Sequence, residues 1–145
     1  MLRKKWKRGR TVNELVVGEK LQITEKIEDK DLLLYLGLTN DNNPLYVQYD
    51  YASETSFKKP IVPTIMLNGL ITSAISKYLP GPGAHIIEMH LTYPAPLYHY
   101  EIIDITLEIL ELSTDLNEAY IEVFALNENQ KRVMEGLIKV VPPKV

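Results

Sequence analysis

The groups able to do chemistry in this chain gather around one loop. Thr39-Asn40-Asp41-Asn42-Asn43-Pro44 consists of turn-forming residues, and a carboxylate such as Asp41 can serve as a general acid or base. On residue type alone, Asp41 is more often an Asx-turn residue that bonds its own backbone. Tyr46 lies just beyond the loop; a phenol with a pKa near ~10 donates hydrogen bonds at neutral pH or packs against an apolar neighbour. His85, His90 and His99 are the only histidines, and none has a partner at metal-ligand spacing, so neither a metal nor a cofactor is expected. His85 and His99 fall in connections, where either is open to a base role that the sequence does not place. Lys58 and Lys59 can meet phosphates but read first as a solvated pair. Without cysteine, disulfides, thiolate catalysis and thiolate metal sites are excluded. Glycine-rich phosphate loops, serine nucleophile elbows and carboxylate–histidine metal motifs are absent.

The elements that must position these groups centre on the stretch from Pro60 to Gly83. Ile65, Met66, Leu70, Ala74, Ile75 and Tyr78 recur at helical spacing, with Leu67, Ile71 and Leu79 filling much of the remaining circumference. The pattern predicts a long helix buried on more than one side. Pro63 suits its start, with Thr64 as N-cap, and Pro80-Gly81-Pro82-Gly83 ends it. Upstream, Leu21 to Glu25 reads as a short strand. Ile27 to Asp31 opens a helix with acids in its first turn, where the helix dipole favours them. Leu32, Leu33, Tyr35, Leu36 and Leu38 give that helix an apolar face, and Gly37 marks its end. Ala52 to Phe57 reads as a second short helix.

Downstream, strands follow at period two. Ile87, Met89, Leu91 and Tyr93 form one apolar face; Ile103, Ile105, Leu107 and Ile109 a second; Ala119, Ile121, Val123 and Ala125 a third. A fourth strand runs from Arg132 to Val141. Short connections favour an antiparallel meander of these four. The fold class is α+β, one antiparallel sheet wrapped around one long central helix.

Composition bounds the function. The 145 residues, 46% apolar and 24% charged, are those of a single globular domain. No stretch approaches the roughly 18 apolar residues of a membrane span, and the basic start lacks the apolar core of a signal peptide, so the expectation is a cytoplasmic protein. Six of the 16 basic residues lie in the first ten positions, leaving an acidic body that argues against nucleic-acid binding. We divide the chain into a basic arm over residues 1–11 and one domain over 12–145. The arm reads as a solvated terminus, with Trp6 as its anchor.

Two segments carry a resemblance. Leu38-Thr39-Asn40-Asp41-Asn42-Asn43-Pro44-Leu45-Tyr46 resembles the active-site loop of MaoC-like, R-specific enoyl-CoA hydratases, usually Ser-Gly-Asp-x-Asn-Pro-x-His. Phe57-Lys58-Lys59-Pro60-Ile61-Val62, the helix after it and Leu79-Pro80-Gly81-Pro82-Gly83 are similar to that family's central helix and its exit. Leu91-Thr92-Tyr93-Pro94-Ala95-Pro96-Leu97 resembles the strand and bend that follow. The resemblance runs from Gly18 to Leu112 in continuous register. It implies a hotdog fold, a dimer joined edge to edge, and acyl-CoA or acyl-carrier-protein thioesters as partners.

Hydrating a 2-enoyl thioester needs water activated at the β-carbon, a proton for the α-carbon and a donor to the enolate oxygen. The resemblance assigns Asp41 as the main acid/base group, with Asn43 and Pro44 shaping the loop. It puts Tyr46 where the family has its catalytic His, and Pro63 and Thr64 where the family has a His-Gly pair whose backbone N–H faces the thioester oxygen. Tyr98-His99-Tyr100-Glu101 replaces the usual Gly-Asp turn. The expected function is an enoyl-thioester hydratase or dehydratase with Asp41 and Tyr46 as catalytic and Asn43, Pro63 and Thr64 as substrate-binding residues. The alternatives are an acyl-thioester-binding protein without turnover and a structural subunit of a heteromer with a hotdog paralogue.

Overall fold

The computed structural model describes residues 7–144. Strand β1 (Lys20–Lys26) is followed by α1 (Asp29–Thr39), the short helices α2 (Pro44–Val47) and α3 (Tyr49–Ser53), and the central helix α4 (Thr64–Lys77). Then come β2 (His85–Thr92), β3 (Ile102–Ser113), β4 (Glu118–Leu126) and β5 (Arg132–Val141). All five strands form one antiparallel sheet in the order β1-β3-β4-β5-β2. The expected four-strand meander is therefore corrected: β3, β4 and β5 are consecutive neighbours, but β2 lies beyond β5. The segment 93–101, which holds Pro94 and Pro96, is no tight hairpin; it carries the chain across to β3 instead.

Period two places one face of each strand inward. Ile103, Ile105, Leu107 and Ile109 of β3, with Ala119, Ile121, Val123 and Ala125 of β4, are all buried. They share one core with Leu67, Ile71, Ala74 and Ile75 of α4. The helix buries this face only: Ile65 and Tyr78, expected inside, are 51% and 55% exposed. Its boundary also shifts by one residue, with Pro63 as N-cap and Thr64 the first helical residue. In β2 the register shifts between Ile86 and Glu88. That bulge turns Ile87 outward and packs Ile86 against the core in its place. Ile71 is fully buried. Ile71→Ala should cost about 2–5 kcal/mol by the cavity it leaves, checked by urea unfolding.

Two helix expectations upstream are also corrected. α1 runs past Gly37 to Thr39 and ends on Asn40, which takes the left-handed conformation (φ 56°); asparagine tolerates it, as glycine does. Of the segment expected as a helix from Ala52 to Phe57, only Ala52 and Ser53 are helical, as the end of α3, and the rest is turn; α2 begins earlier, at Pro44. No residue of α1 is buried, and Leu33, Leu34 and Leu38 are 67%, 74% and 84% exposed. The apolar face read from the sequence thus meets no core among the described residues.

Arg3, Lys4, Lys5 and Trp6 of the basic arm lie outside the described residues. Next to them the chain is held. The Gly9 N–H donates to the Pro82 carbonyl at 2.7 Å and the Arg10 N–H to the Pro80 carbonyl at 2.8 Å. Arg8 pairs with Glu14 at 3.1 Å, and Arg10 pairs with Glu19. Among the described residues, no helix is long and apolar enough to cross a membrane.

Candidate active site

The loop after α1 is built by side chains that cap their own backbone. The Asp41 carboxylate accepts from the Asn43 N–H at 3.2 Å through Oδ1, an Asx turn, and from the Tyr35 hydroxyl at 2.8 Å through Oδ2. Asn43 Oδ1 accepts from the Leu45 N–H at 3.0 Å and so caps α2, with Pro44 inside its first turn. This is the arrangement helix starts favour: a short polar acceptor, then a proline whose missing N–H costs nothing there. Thr39 Oγ1 donates to the Tyr35 carbonyl at 2.9 Å and accepts from the Asp41 N–H at 3.2 Å. Asp41 thus holds the Asx-turn role read from residue type, with one further bond that sequence reasoning missed, from Tyr35. A carboxylate bonding to a residue six positions earlier leaves no periodic signal.

Tyr46 sits on α2, close enough to Asp41 to feel its charge. Burial first, and the Asp41 carboxylate second, push its pKa above the ordinary phenol value. Tyr35 is raised by burial first and then by its hydrogen bond to Asp41. Both phenols therefore keep their protons at neutral pH and act as donors.

Tyr46 borders a cavity of about 560 Å³. Leu32, Leu33 and Leu36 of α1 give its lining an apolar part, and Tyr46, Tyr98 and His99 also line it. Asp29 and Lys59 bring charge to its lining, and the Lys59 ammonium lies 4.8 Å from the centre of the Tyr98 ring. Asp41 is not part of this lining. Thr64 lines a different cavity, of about 320 Å³, with Phe57, Ile61 and Tyr93. Between the two runs the segment 61–62, bonded from the Ile61 N–H to the Leu45 carbonyl at 3.1 Å and from the Val62 N–H to the Leu97 carbonyl at 2.8 Å. Pro63 is buried, and its carbonyl accepts from the Met66 N–H at 3.0 Å. The structure thus joins Asp41 and Asn43 in the loop that leads into Tyr46 on α2, and puts Tyr46 and Thr64 in the linings of two different cavities.

The turn at 98–101 keeps a glycine-like shape without glycine. Tyr100 has φ 69°, a conformation that costs an L-residue roughly 1 kcal/mol or more. Glu101 closes the turn, accepting from the Tyr98 N–H at 2.9 Å through Oε1. The Tyr100 N–H donates to the Ile27 carbonyl at 2.8 Å and its hydroxyl accepts from the Asp29 N–H at 3.4 Å. The Tyr98 hydroxyl donates to the Phe57 carbonyl at 2.7 Å. These bonds tie the turn to the start of α1 and to the segment before α4, and so set His99 against the cavity.

Both ring nitrogens of His99 are buried without a hydrogen-bond partner among the described residues. Burial lowers its pKa below the ordinary value of 6.5, against smaller opposing effects of the Asp29 charge and the Ile61 backbone. At neutral pH the ring is uncharged. Of the other histidines, His85 is exposed, and His90 pairs with Glu88 at 2.8 Å on the exposed face of β2. Among the described residues, no three metal-ligating side chains cluster.

No family model matches the chain. It is 35% identical over 80 residues to an (R)-specific enoyl-CoA hydratase of Rhodospirillum rubrum, a match that covers 55% of this chain and 56% of that protein. The chain therefore spans little more than half of that relative's length. It is 28% identical over 131 residues to a 3-hydroxybutyryl-CoA dehydratase of Methylorubrum extorquens, covering 90% of this chain and 83% of the relative. Among solved structures, the unliganded R-hydratase PhaJ1 from Pseudomonas aeruginosa superposes with a TM-score of 0.86 at 29% identity, over 95% of this chain and 88% of that one. The five-stranded antiparallel sheet wrapped on α4 is the hotdog fold expected from the sequence, and the chain is similar in sequence to (R)-specific enoyl-CoA hydratases.

Proposed function

We propose that this chain adds water across the double bond of a 2-enoyl thioester, or removes it from the 3-hydroxyacyl product. The observation that supports this reading best is the Asp41-Asn43-Pro44-Tyr46 loop set beside a largely apolar cavity of about 560 Å³, with Tyr46 in its wall. An acyl chain is apolar, and a cavity of this size is in the range of small-ligand sites. Asp41 is the carboxylate that polarises the attacking water. Tyr46, kept protonated, donates to the thioester oxygen as enolate charge develops there. Pro63 and Thr64 are the start of α4, whose first amides suit an anionic oxygen, and Asn43 fixes the loop. The acyl group arrives on coenzyme A or on a carrier protein, and the working unit is a dimer of this chain or a pair with a hotdog paralogue.

Tyr46→Phe tests the role of the phenol. It removes one hydroxyl and little volume, so kcat should fall about 100-fold while folding is unchanged. Unchanged turnover would remove Tyr46 from the reaction. The raised pKa of Tyr46 also favours a second reading, in which the chain binds acyl thioesters without turnover. Under it, wild type binds acyl-CoA but is inactive, and Tyr46→His gains hydration.

A further inference from the structure

We propose that His99 is the general base of the cavity, taking from the turn before β3 the part that the loop cannot play with Tyr46. This rests on the hydration reading above. A carboxylate and a protonated phenol leave the reaction without an imidazole, and His99 is the one histidine bordering the cavity that Tyr46 borders. Its two ring nitrogens are buried, and neither makes a hydrogen bond of full geometry among the described residues, although the Ile61 backbone lies close enough to interact with the ring. A buried polar atom without a full partner is costly, and a site that meets its partner only with substrate and water present accounts for that cost. The imidazole torsion χ2 is broad. A turn about it can reorient the ring nitrogens against a cavity that the residue already lines, at the cost of no hydrogen bond of full geometry.

The step balances within the substrate, water and one ring. The imidazole nitrogen takes a proton from water as the water oxygen bonds to the β-carbon. The double-bond electrons move toward the thioester carbonyl, giving an enolate whose oxygen takes the negative charge. The imidazolium then returns that proton to the α-carbon. Water has been added across the double bond and His99 is neutral again. Asp29 from α1, Tyr46 from α2, and Tyr49, Lys59 and Tyr98 from the surrounding segments are the titratable groups that border the same cavity. Among these Asp29 favours the protonated ring, and burial outweighs it. The active, neutral form therefore persists below pH 6.5, and activity is lost only as pH falls through the lowered pKa.

The full chain is assayed with 2-butenoyl-CoA, as wild type and as His99→Gln, across pH 4.5–8. The ring of His99 is titrated in parallel by NMR of histidine-labelled wild type. The expected result is a fall in kcat of about 100-fold or more in His99→Gln, with KM within about threefold. The acid limb of wild-type kcat/KM lies below 6.5 and matches the midpoint of His99. An active wild type with His99→Gln within about threefold of it overturns His99 as the base and leaves the hydratase reading standing. An inactive wild type overturns that reading and the base with it. Should His99→Gln fail to fold, the wild-type titration decides: a His99 midpoint that matches the acid limb supports the assignment, and one that does not overturns it.

Discussion

Replacing Asp41 by Asn is expected to lower turnover of a 2-enoyl thioester by about 100-fold or more, with the melting temperature nearly unchanged. The geometry separates the two effects. Asn keeps an Oδ1 acceptor for the Asn43 N–H and so keeps the Asx turn. What it loses is the charge and the second carboxylate oxygen that accepts from the Tyr35 hydroxyl. A charge placed to polarise the attacking water in the transition state contributes about 10²–10³-fold, whereas one partly exposed hydrogen bond contributes about 1 kcal/mol to stability. Removing the charge should also lower the pKa of Tyr46, because the carboxylate is one of the two causes that raise it. Steady-state kinetics and calorimetry on the same preparation check both halves. If Asp41 is a turn former alone, Asp41→Asn retains full activity.

Gly136→Ala should be the most damaging small substitution in the fold. Gly136 sits in β5 between β4 and β2, opposite Val123 on one side and Leu91 on the other. A Cβ built there would lie 1.9 Å from the His90 carbonyl oxygen and 2.9 Å from the Leu91 Cα. These are backbone atoms of the neighbouring strand, so no side-chain rotation relieves the contact. Either β2 moves off β5 or the ladder breaks locally. The cost is about 3 kcal/mol or more, which lowers the melting temperature of a domain this size by roughly 6–12 °C. Gly69 is the control. It lies within α4, where an added Cβ meets nothing within 4 Å, and Gly69→Ala should be neutral or stabilising. A melting temperature for Gly136→Ala within about 2 °C of wild type would show that the strands do not approach as described.

The parts of this fold that were legible in the sequence are those governed by local periodicity. β3 alternates as far as Ile109, before its register shift, and β4 alternates throughout, so their inward residues could be read one by one. The central helix was legible for the same reason, and its proline-glycine exit marked its end. Three features were not legible, each for a non-local reason. The place of β2 beside β5 depends on which edge the segment 93–101 can reach. The bulge at Ile86 to Glu88 inverts a phase that the residue pattern carries straight through. In α1 the apolar residues predict a buried face, yet Leu33, Leu34 and Leu38 stay exposed, because nothing among the described residues covers them.

The candidate site divides the same way. Asp41, Asn43 and Pro44 are contiguous, and the turn chemistry of those residue types alone builds the loop. Tyr35 and His99 were not found from spacing. Tyr35 reaches Asp41 through the geometry of the α1 terminus, and His99 reaches the cavity through a turn held by Glu101 and Tyr98. Pro63 and Thr64 were legible as a helix start, but that Thr64 lines a different cavity from Tyr46 is a tertiary fact.

The measurement that bears most directly on the central claim is hydration of 2-butenoyl-CoA by the purified wild-type chain, followed by loss of the enoyl-thioester absorbance. The account predicts enzyme-dependent turnover that scales with protein concentration and yields the 3-hydroxyacyl thioester. Absence of turnover with both coenzyme A and carrier-protein substrates, from folded protein, would contradict it.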